Sequence, residues 1–259
     1  MRRTPPRPKP SPSALRRDRP NAPRHGVARV LSKRGYCSRS EAEVLVRAGR
    51  VALDGRVVRD PQAPAGADAR LAVDGVAVAA AARVYLALNK PRGLVTTVRD
   101  ERGRDTVYRC FDGTALPWLA PVGRLDKASE GLLLFCNDPV WAARVTAPEG
   151  HVDKTYHVQV DALPTPGLLA QLQAGVVVEG ERLAARAARE LRRGARHAWL
   201  EIVLDEGRNR QIRRLLEAQG VAVLRLVRVA IGSVRLGDLP KGAWRPLRPE
   251  EVAALAPTD

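Results

Sequence analysis

One carboxylate in this chain stands where it could do chemistry. The segment Pro121-Val122-Gly123-Arg124-Leu125-Asp126-Lys127-Ala128-Ser129-Glu130 sets Asp126 in a polar turn, and the apolar run from Gly131 to Cys136 follows directly. A carboxylate held there can attack an electrophilic carbon or take a proton; the same position equally suits a residue that only closes a turn. Metal chemistry has little to work with. His25, His151, His157 and His197 lack His-Glu-x-x-His or similar spacing, and Cys37, Cys110 and Cys136 form no Cys-x-x-Cys pair. The cysteines, odd in number and far apart, read as reduced thiols with at least two of them buried. No metal or cofactor is expected, so any catalysis falls to ordinary side chains.

A core must exist to hold such a turn. Hydrophobic residues make up 45% of the 259 and charged ones 28%, enough apolar side chain for a folded protein, and the length suits two domains of unequal size. Lys and Arg number 44 against 28 Asp and Glu, a formal net charge of +16, which favours a polyanion such as nucleic acid as partner. No apolar run approaches a membrane span of about 20 residues and no signal peptide is visible, so a cytoplasmic protein without a membrane partner is expected.

Residues 1–25, with seven prolines, eight Lys or Arg and one acidic residue, cannot bury a core and read as a basic arm. From Val27 the apolar positions Val27, Val30 and Leu31 fit a short helix stopped at Gly35. Ser38 and Glu41 have capping-box spacing for a second helix that ends at Gly49. Asp54-Gly55 and Asp74-Gly75 then mark two hairpins, Val51 to Val58 and Leu71 to Val78. Arg29, Lys33, Arg34, Arg39, Arg47 and Arg50 give this unit, residues 26–78, a basic face suited to an RNA backbone.

After a linker at 79–84, residues 85–259 read as strands interleaved with short helices, an α+β pattern. Strands are expected at Val84 to Leu88, Gly131 to Cys136, Thr155 to Val160, Ala198 to Leu204 and Val223 to Val229. A helix follows Asn209, with Ile212, Leu215 and Leu216 on one face.

Two resemblances join these readings. Ala28 through Val58, including Ser38-Arg39-Ser40-Glu41-Ala42 and Gly49-Arg50-Val51-Ala52-Leu53-Asp54-Gly55, resembles an S4 RNA-binding domain of the αL type. Gly123-Arg124-Leu125-Asp126 resembles the signature of the pseudouridine synthases related to RsuA and RluA. Three further segments match family elements in order: Lys90-Pro91-Arg92-Gly93, Lys154-Thr155-Tyr156-His157-Val158, and Glu206 through Arg214. The S4 unit points to the RsuA/RluB/RluE/RluF family, and the C-terminal run, including Leu239-Pro240-Lys241-Gly242, looks most like its RluB subgroup. The departures are Ser129 and Cys136 where Thr is common, and Pro139 where Gly is common; they bear on loop shape.

The resemblance implies a catalytic domain with a mixed, mainly antiparallel central sheet. It also implies isomerisation of uridine to pseudouridine in 23S rRNA, with 16S rRNA or tRNA as other substrates and a non-catalytic ribosome-assembly factor as the rival from another class. Asp126 would be the catalytic carboxylate, Tyr156 the aromatic stacked on uracil, and Arg208 the guanidinium that stabilises the ionised Asp126. Arg124, Lys154, Asn209 and Ile212 would bind substrate, Ile212 as an apolar wall and Arg124 where a flipped nucleotide enters. The expected partner is 23S rRNA or a pre-ribosomal large-subunit particle, engaged by a monomer.

Overall fold

The computed structural model describes residues 25–256 except Ala67 and Arg99, so the basic arm lies outside the described residues apart from His25. The N-terminal unit is built from two helices, α1 (Val27–Lys33) and α2 (Arg39–Arg47). The expected capping box starts α2: the Ser38 hydroxyl accepts the Glu41 N–H at 3.1 Å, and the Glu41 carboxylate accepts the Ser38 N–H at 3.0 Å. Strands β1 (His25–Gly26) and β4 (Pro64–Ala65) pair at one side, while β2 (Val51–Leu53), β3 (Arg56–Val58), β5 (Leu71–Val73) and β6 (Val76–Ala77) form a sheet ordered β3-β2-β5-β6. Both Asp-Gly pairs carry positive φ at both residues, the geometry of the two-residue hairpin turn. Val27, Leu31, Val46, Val51 and Leu71 pack into a core of their own. The end of α1 meets the larger domain, where the carbonyl of Gly35, a residue at φ +72°, accepts the Trp118 N–H at 3.1 Å.

The larger domain begins at β7 (Tyr85–Lys90), followed by β8 (Ala120–Val122), β9 (Glu130–Cys136) and β10 (Lys154–Val160). A small hairpin, β11 (Val176–Val178) and β12 (Glu181–Leu183), precedes β13 (Ala187–Arg193), β14 (Ala198–Leu204) and β15 (Val223–Ile231), then β16 (Val234–Arg235) and β17 (Trp244–Pro246). The main sheet runs β13-β14-β10-β15-β9-β7-β17, with β8 on β9 and β16 on β15. Only the contact of β15 with β9 is parallel, so the sheet is mixed and mainly antiparallel as expected.

Helices cover both faces of its centre: α3 (Pro139–Thr146), α4 (Pro166–Ala174), α5 (Gln211–Glu217) and α6 (Pro249–Leu255). Leu172 of α4 and Ile212, Leu215 and Leu216 of α5 pack on one side with Leu133 and Phe135. Trp141 and Val145 of α3 and Leu255 of α6 pack on the other with Leu132 and Leu134. Every residue of β9 is therefore buried, which explains its unbroken apolar run. Pro139 fits the first turn of α3, where a missing N–H is harmless, and the Asp138 carboxylate caps that helix by accepting the N–H groups of Val140 and Trp141. Of the three cysteines only Cys136 is buried; Cys37 and Cys110 are half-buried, one fewer buried thiol than expected.

One row of residues crosses four strands of the sheet. Lys90 stands opposite Gly131, Gly131 opposite Arg228, and Arg228 opposite Tyr156. Gly131 has φ +100°, and a Cβ there would run into the Arg228 carbonyl and amide of the neighbouring strand. Both steric facts require glycine. Gly131→Ala is expected to destabilise the protein by about 2–4 kcal/mol, through strain and forced separation of β9 from β15. Urea denaturation checks this, and a midpoint matching the wild type would contradict it.

Candidate active site

The turn carrying Asp126 is held at every carbonyl from Leu125 to Ser129. The Thr96 hydroxyl donates to the Leu125 carbonyl at 2.7 Å, and the Leu125 N–H returns to that hydroxyl at 3.3 Å. The Asp126 carbonyl accepts the Ser129 N–H at 3.0 Å and Lys90 Nζ at 3.2 Å. The Lys127 carbonyl accepts the Gly93 N–H at 2.8 Å, the Ala128 carbonyl accepts Arg213 Nη2 at 3.3 Å, and the Ser129 carbonyl accepts Lys90 Nζ at 2.8 Å. Three separate segments, 90–96, the turn itself and α5, thus meet on one short loop. A backbone so satisfied has little freedom to drift, while the Asp126 side chain stays 35% exposed and available.

Lys90 is the centre of that arrangement. Its side chain is wholly buried, and its ammonium finds three carbonyls, Pro91 at 3.1 Å being the third. Burial pushes its pKa down to about 8, against the raising influence of Cys110, Asp126 and Glu130. Its motif alone assigns Lys90 no role; the signal available in the chain is a lysine closing the apolar run Leu86-Ala87-Leu88.

Beside the turn opens a cavity of about 570 Å³ lined by Arg124, Asp126, Lys154, Tyr156, Arg208 and Ile212, together with Ser129, Arg210 and Arg228. Six of the seven expected catalytic and substrate-binding residues therefore share one cavity, although they span 89 positions of chain from Arg124 to Ile212. Asn209 is exposed on the adjoining loop and is not part of the lining. Tyr156 on β10 is 9% exposed, and Ile212 in the first turn of α5 is buried. Lys154, whose pKa is lowered by burial and by the like charge of Arg228, donates to the Asp205 carbonyl at 3.4 Å. A larger cavity of about 870 Å³ lies between α2 and the stacked rings of Tyr108 and Trp118, but Glu41 is its one charged lining residue and it holds no comparable set of reactive groups.

The charge partner of Asp126 differs from the expectation. Arg208 donates instead to Glu206 at 2.8 Å, Glu181 at 3.1 Å and the Arg182 carbonyl at 2.9 Å. Arg210, in the left-handed region just before α5, brings a guanidinium nitrogen to 3.8 Å from Asp126. That distance is an ion pair without a hydrogen bond. The physical reason is competition: two carboxylates beside Arg208 offer shorter, charge-assisted bonds than Asp126 does.

Among the six basic residues singled out in the N-terminal unit, Arg34 has a structural role: it donates to the carbonyls of Val78 at 3.0 Å and Ala69 at 2.5 Å. Arg39 and Arg47 flank Glu43 at 3.4 and 3.7 Å, Arg50 pairs with Asp74, and Lys33 meets His25. Arg29 is exposed. Exposed pairs of this kind are weak, so a phosphate can compete for the same cations.

Comparisons with known proteins identify the family. Residues 84–218 match the family described as RNA pseudouridylate synthase, and residues 27–71 match the S4 domain. The chain is 34% identical to the ribosomal large subunit pseudouridine synthase B of Bacillus subtilis, over 88% of this chain and 94% of that protein. It is 40% identical to an uncharacterized RNA pseudouridine synthase of Mycobacterium bovis, over 88% and 92%. A solved structure, the crystal structure of pseudouridylate synthase, superposes with a TM-score of 0.62 at 28% identity, covering 89% of this chain and 99% of that one.

The buried lysine generates a prediction about stability. Lys90 titrates near 8 in the folded protein and near 10.5 when unfolded, so between those values the unfolded chain binds more protons and stability rises with pH. Relative to Lys90→Met, which cannot titrate, the wild type is expected to gain about 2 kcal/mol between pH 8 and pH 10. Urea midpoints of both proteins at the two pH values test it; a difference independent of pH would contradict it.

Proposed function

Because the chain belongs to the RNA pseudouridylate synthase family and carries an S4 domain, we propose that it converts one uridine of 23S rRNA to pseudouridine with Asp126 as the catalytic carboxylate. The observation that carries this reading is the clamped turn: Asp126 is the carboxylate whose backbone is held on all sides while its side chain faces a cavity with Tyr156 and Ile212. The reaction breaks the bond between ribose C1′ and uracil N1, turns the ring and rejoins it through C5. The C5 proton is lost and N1 gains one, so the product is an isomer and no oxidant, reductant or cofactor is consumed.

Each wall of the cavity has a task in that sequence. Asp126 meets the electrophile, as nucleophile or as base, with the Arg210 guanidinium 3.8 Å from its carboxylate. The Tyr156 ring offers a stacking surface for the uracil, and Ile212 keeps water from the reacting carbon. Arg124, exposed at the edge of the cavity, suits the phosphate of a nucleotide flipped from its stack. Arg208 is held in the cavity lining by Glu181 and Glu206, and Lys154 adds a second positive charge to that lining. The basic residues of the S4 domain, Arg29, Lys33, Arg39, Arg47 and Arg50, engage the RNA backbone outside the cavity. The protein acts as a monomer in the cytoplasm, on large-subunit rRNA or its assembling particle.

The test compares wild type with Asp126→Ala on unmodified transcripts of 23S rRNA, 16S rRNA and tRNA, scoring pseudouridine by chemical labelling and reverse-transcription stops. Wild type is expected to modify one 23S position, and the variant to lose at least about 1,000-fold in rate while still binding RNA. Product on 16S rRNA or tRNA alone would reassign the substrate. No product on any RNA would leave the fold as a binding protein, and an active Asp126→Ala would remove Asp126 from the mechanism.

A further inference from the structure

Among the described residues, Arg228 carries a charge with no counter-ion within 4 Å. It sits mid-strand in β15, 6% exposed, on the wall of the Asp126 cavity. Its Nε donates to the Leu132 carbonyl at 2.7 Å, while Nη2 is buried with no hydrogen-bond partner. Among the described residues no carboxylate lies within 4 Å of it, although its strand neighbour Arg225 is paired with the buried Glu130. The same cavity wall includes Ser129, 1% exposed, whose hydroxyl is also buried and unpartnered. A buried guanidinium without an anion, and a buried hydroxyl without a partner, are costly features. Two of them on one wall point to a ligand that completes both.

The row across the sheet indicates which part of the ligand that is. Arg228 is the Cα partner of Tyr156 on one side and of Gly131 on the other, so its side chain belongs beside the proposed stacking ring. The phosphate of an entering nucleotide is large and hydrated, and it meets Arg124 at the exposed edge first. A group reaching Arg228 must be the flat base itself.

We propose that Arg228 is a further catalytic residue, whose guanidinium, aided by the Ser129 hydroxyl, holds the negative charge that builds on the uracil oxygens during isomerisation. This inference rests on the pseudouridine synthase reading of the same site. Negative charge arises on either route open to Asp126. If the carboxylate engages C1′, the electron pair of the C1′–N1 bond leaves with the ring and spreads to its oxygens. If it adds to C6, the pair of the C5–C6 double bond moves toward O4. On the first route C5 then bonds C1′ as the carboxylate leaves that carbon with its electron pair; on the second C5 bonds C1′ as N1 leaves it, and the carboxylate is expelled from C6 when C5 gives up its proton. On both routes C5 loses one proton, N1 receives one, and Asp126 is returned as the free carboxylate. A fixed guanidinium in a water-poor cavity stabilises such an anion more than the neutral base, which is the condition for lowering a barrier.

The experiment uses the full chain with whichever transcript the wild type modifies, measuring the saturating single-turnover rate and, separately, the RNA Kd by filter binding. Arg228→Met is expected to slow the rate about 100- to 1,000-fold, the range for loss of one anion-stabilising donor, with Kd within about twofold. Arg228→Lys, which keeps the charge, is expected to recover at least tenfold of that loss, and Ser129→Ala to slow the rate about tenfold. A wild-type rate in Arg228→Met overturns the inference, and a loss confined to Kd makes Arg228 a phosphate contact and overturns it as well. If circular dichroism shows that Arg228→Met does not fold, Arg228→Gln, which is polar and uncharged, decides: a rate lowered at least about tenfold from wild type at unchanged Kd supports the role, and an unchanged rate rejects it. An inactive wild type would overturn the parent reading and this one together, whereas an active wild type beside an equally active Arg228→Met overturns this one alone.

Discussion

A lysine with no exposed surface holds the turn that carries Asp126 in place. Lys90 closes β7 and donates to the carbonyls of Pro91, Asp126 and Ser129, the last two on the turn some 36 to 39 residues further along. Burying an ammonium is unfavourable unless its hydrogens are all received, and three carbonyls receive them. The lysine and the turn therefore specify one another: without the turn the buried amine has fewer acceptors, and without the lysine two of the turn's carbonyls lose a partner. Thr96, Gly93 and Arg213 complete the same job from other directions.

The sheet makes this meeting geometrically possible. Lys90, Gly131, Arg228 and Tyr156 lie in one cross-strand row, each on a different strand. Gly131 is the hinge of the row because the parallel neighbour passes too close for any side chain. Helices on both faces of β9 keep the row dry, and a dry environment makes each charge in it consequential. Glu130 is matched by Arg225 and Lys241, and Arg210 approaches Asp126. Among these arginines Arg228 is the one that is buried with no acid within 4 Å among the described residues, and it lines the same cavity as Asp126.

The large positive charge is distributed less freely than its total suggests. Arg208, Arg214, Arg189 and Arg193 are all engaged by nearby carboxylates, and Arg34 by backbone carbonyls. Cations with exposed, weak pairings, such as Arg39, Arg47 and Arg50, remain exchangeable for phosphate. Arginines held by carboxylates or carbonyls and arginines with exposed pairings thus look identical in composition and differ only in their neighbours.

Local signals in the chain were legible because their causes are local. The capping box at Ser38 and Glu41, the Asp-Gly hairpins, the one-sided apolar face of α5 and the buried run of β9 are each decided within a few residues. The motif around Asp126 and its ordered companions likewise indicated the family and most of the cavity lining. What needed the tertiary structure was every feature made by residues far apart. Ala187–Arg193 has the composition of a helix, yet it is the edge strand β13, because pairing with β14 outweighs weak intrinsic propensity. Arg210 replaces Arg208 as the cation near Asp126 because Glu181 and Glu206 draw Arg208 away. The roles of Lys90 and Arg228 depend on burial and on partners across strands, and neither quantity exists until the sheet has formed. Sequence alone therefore determined the family and the local elements around the Asp126 turn, while the fold decided which charges hold that turn and which stay without a partner acid, because burial and cross-strand partners arise only once the sheet has formed.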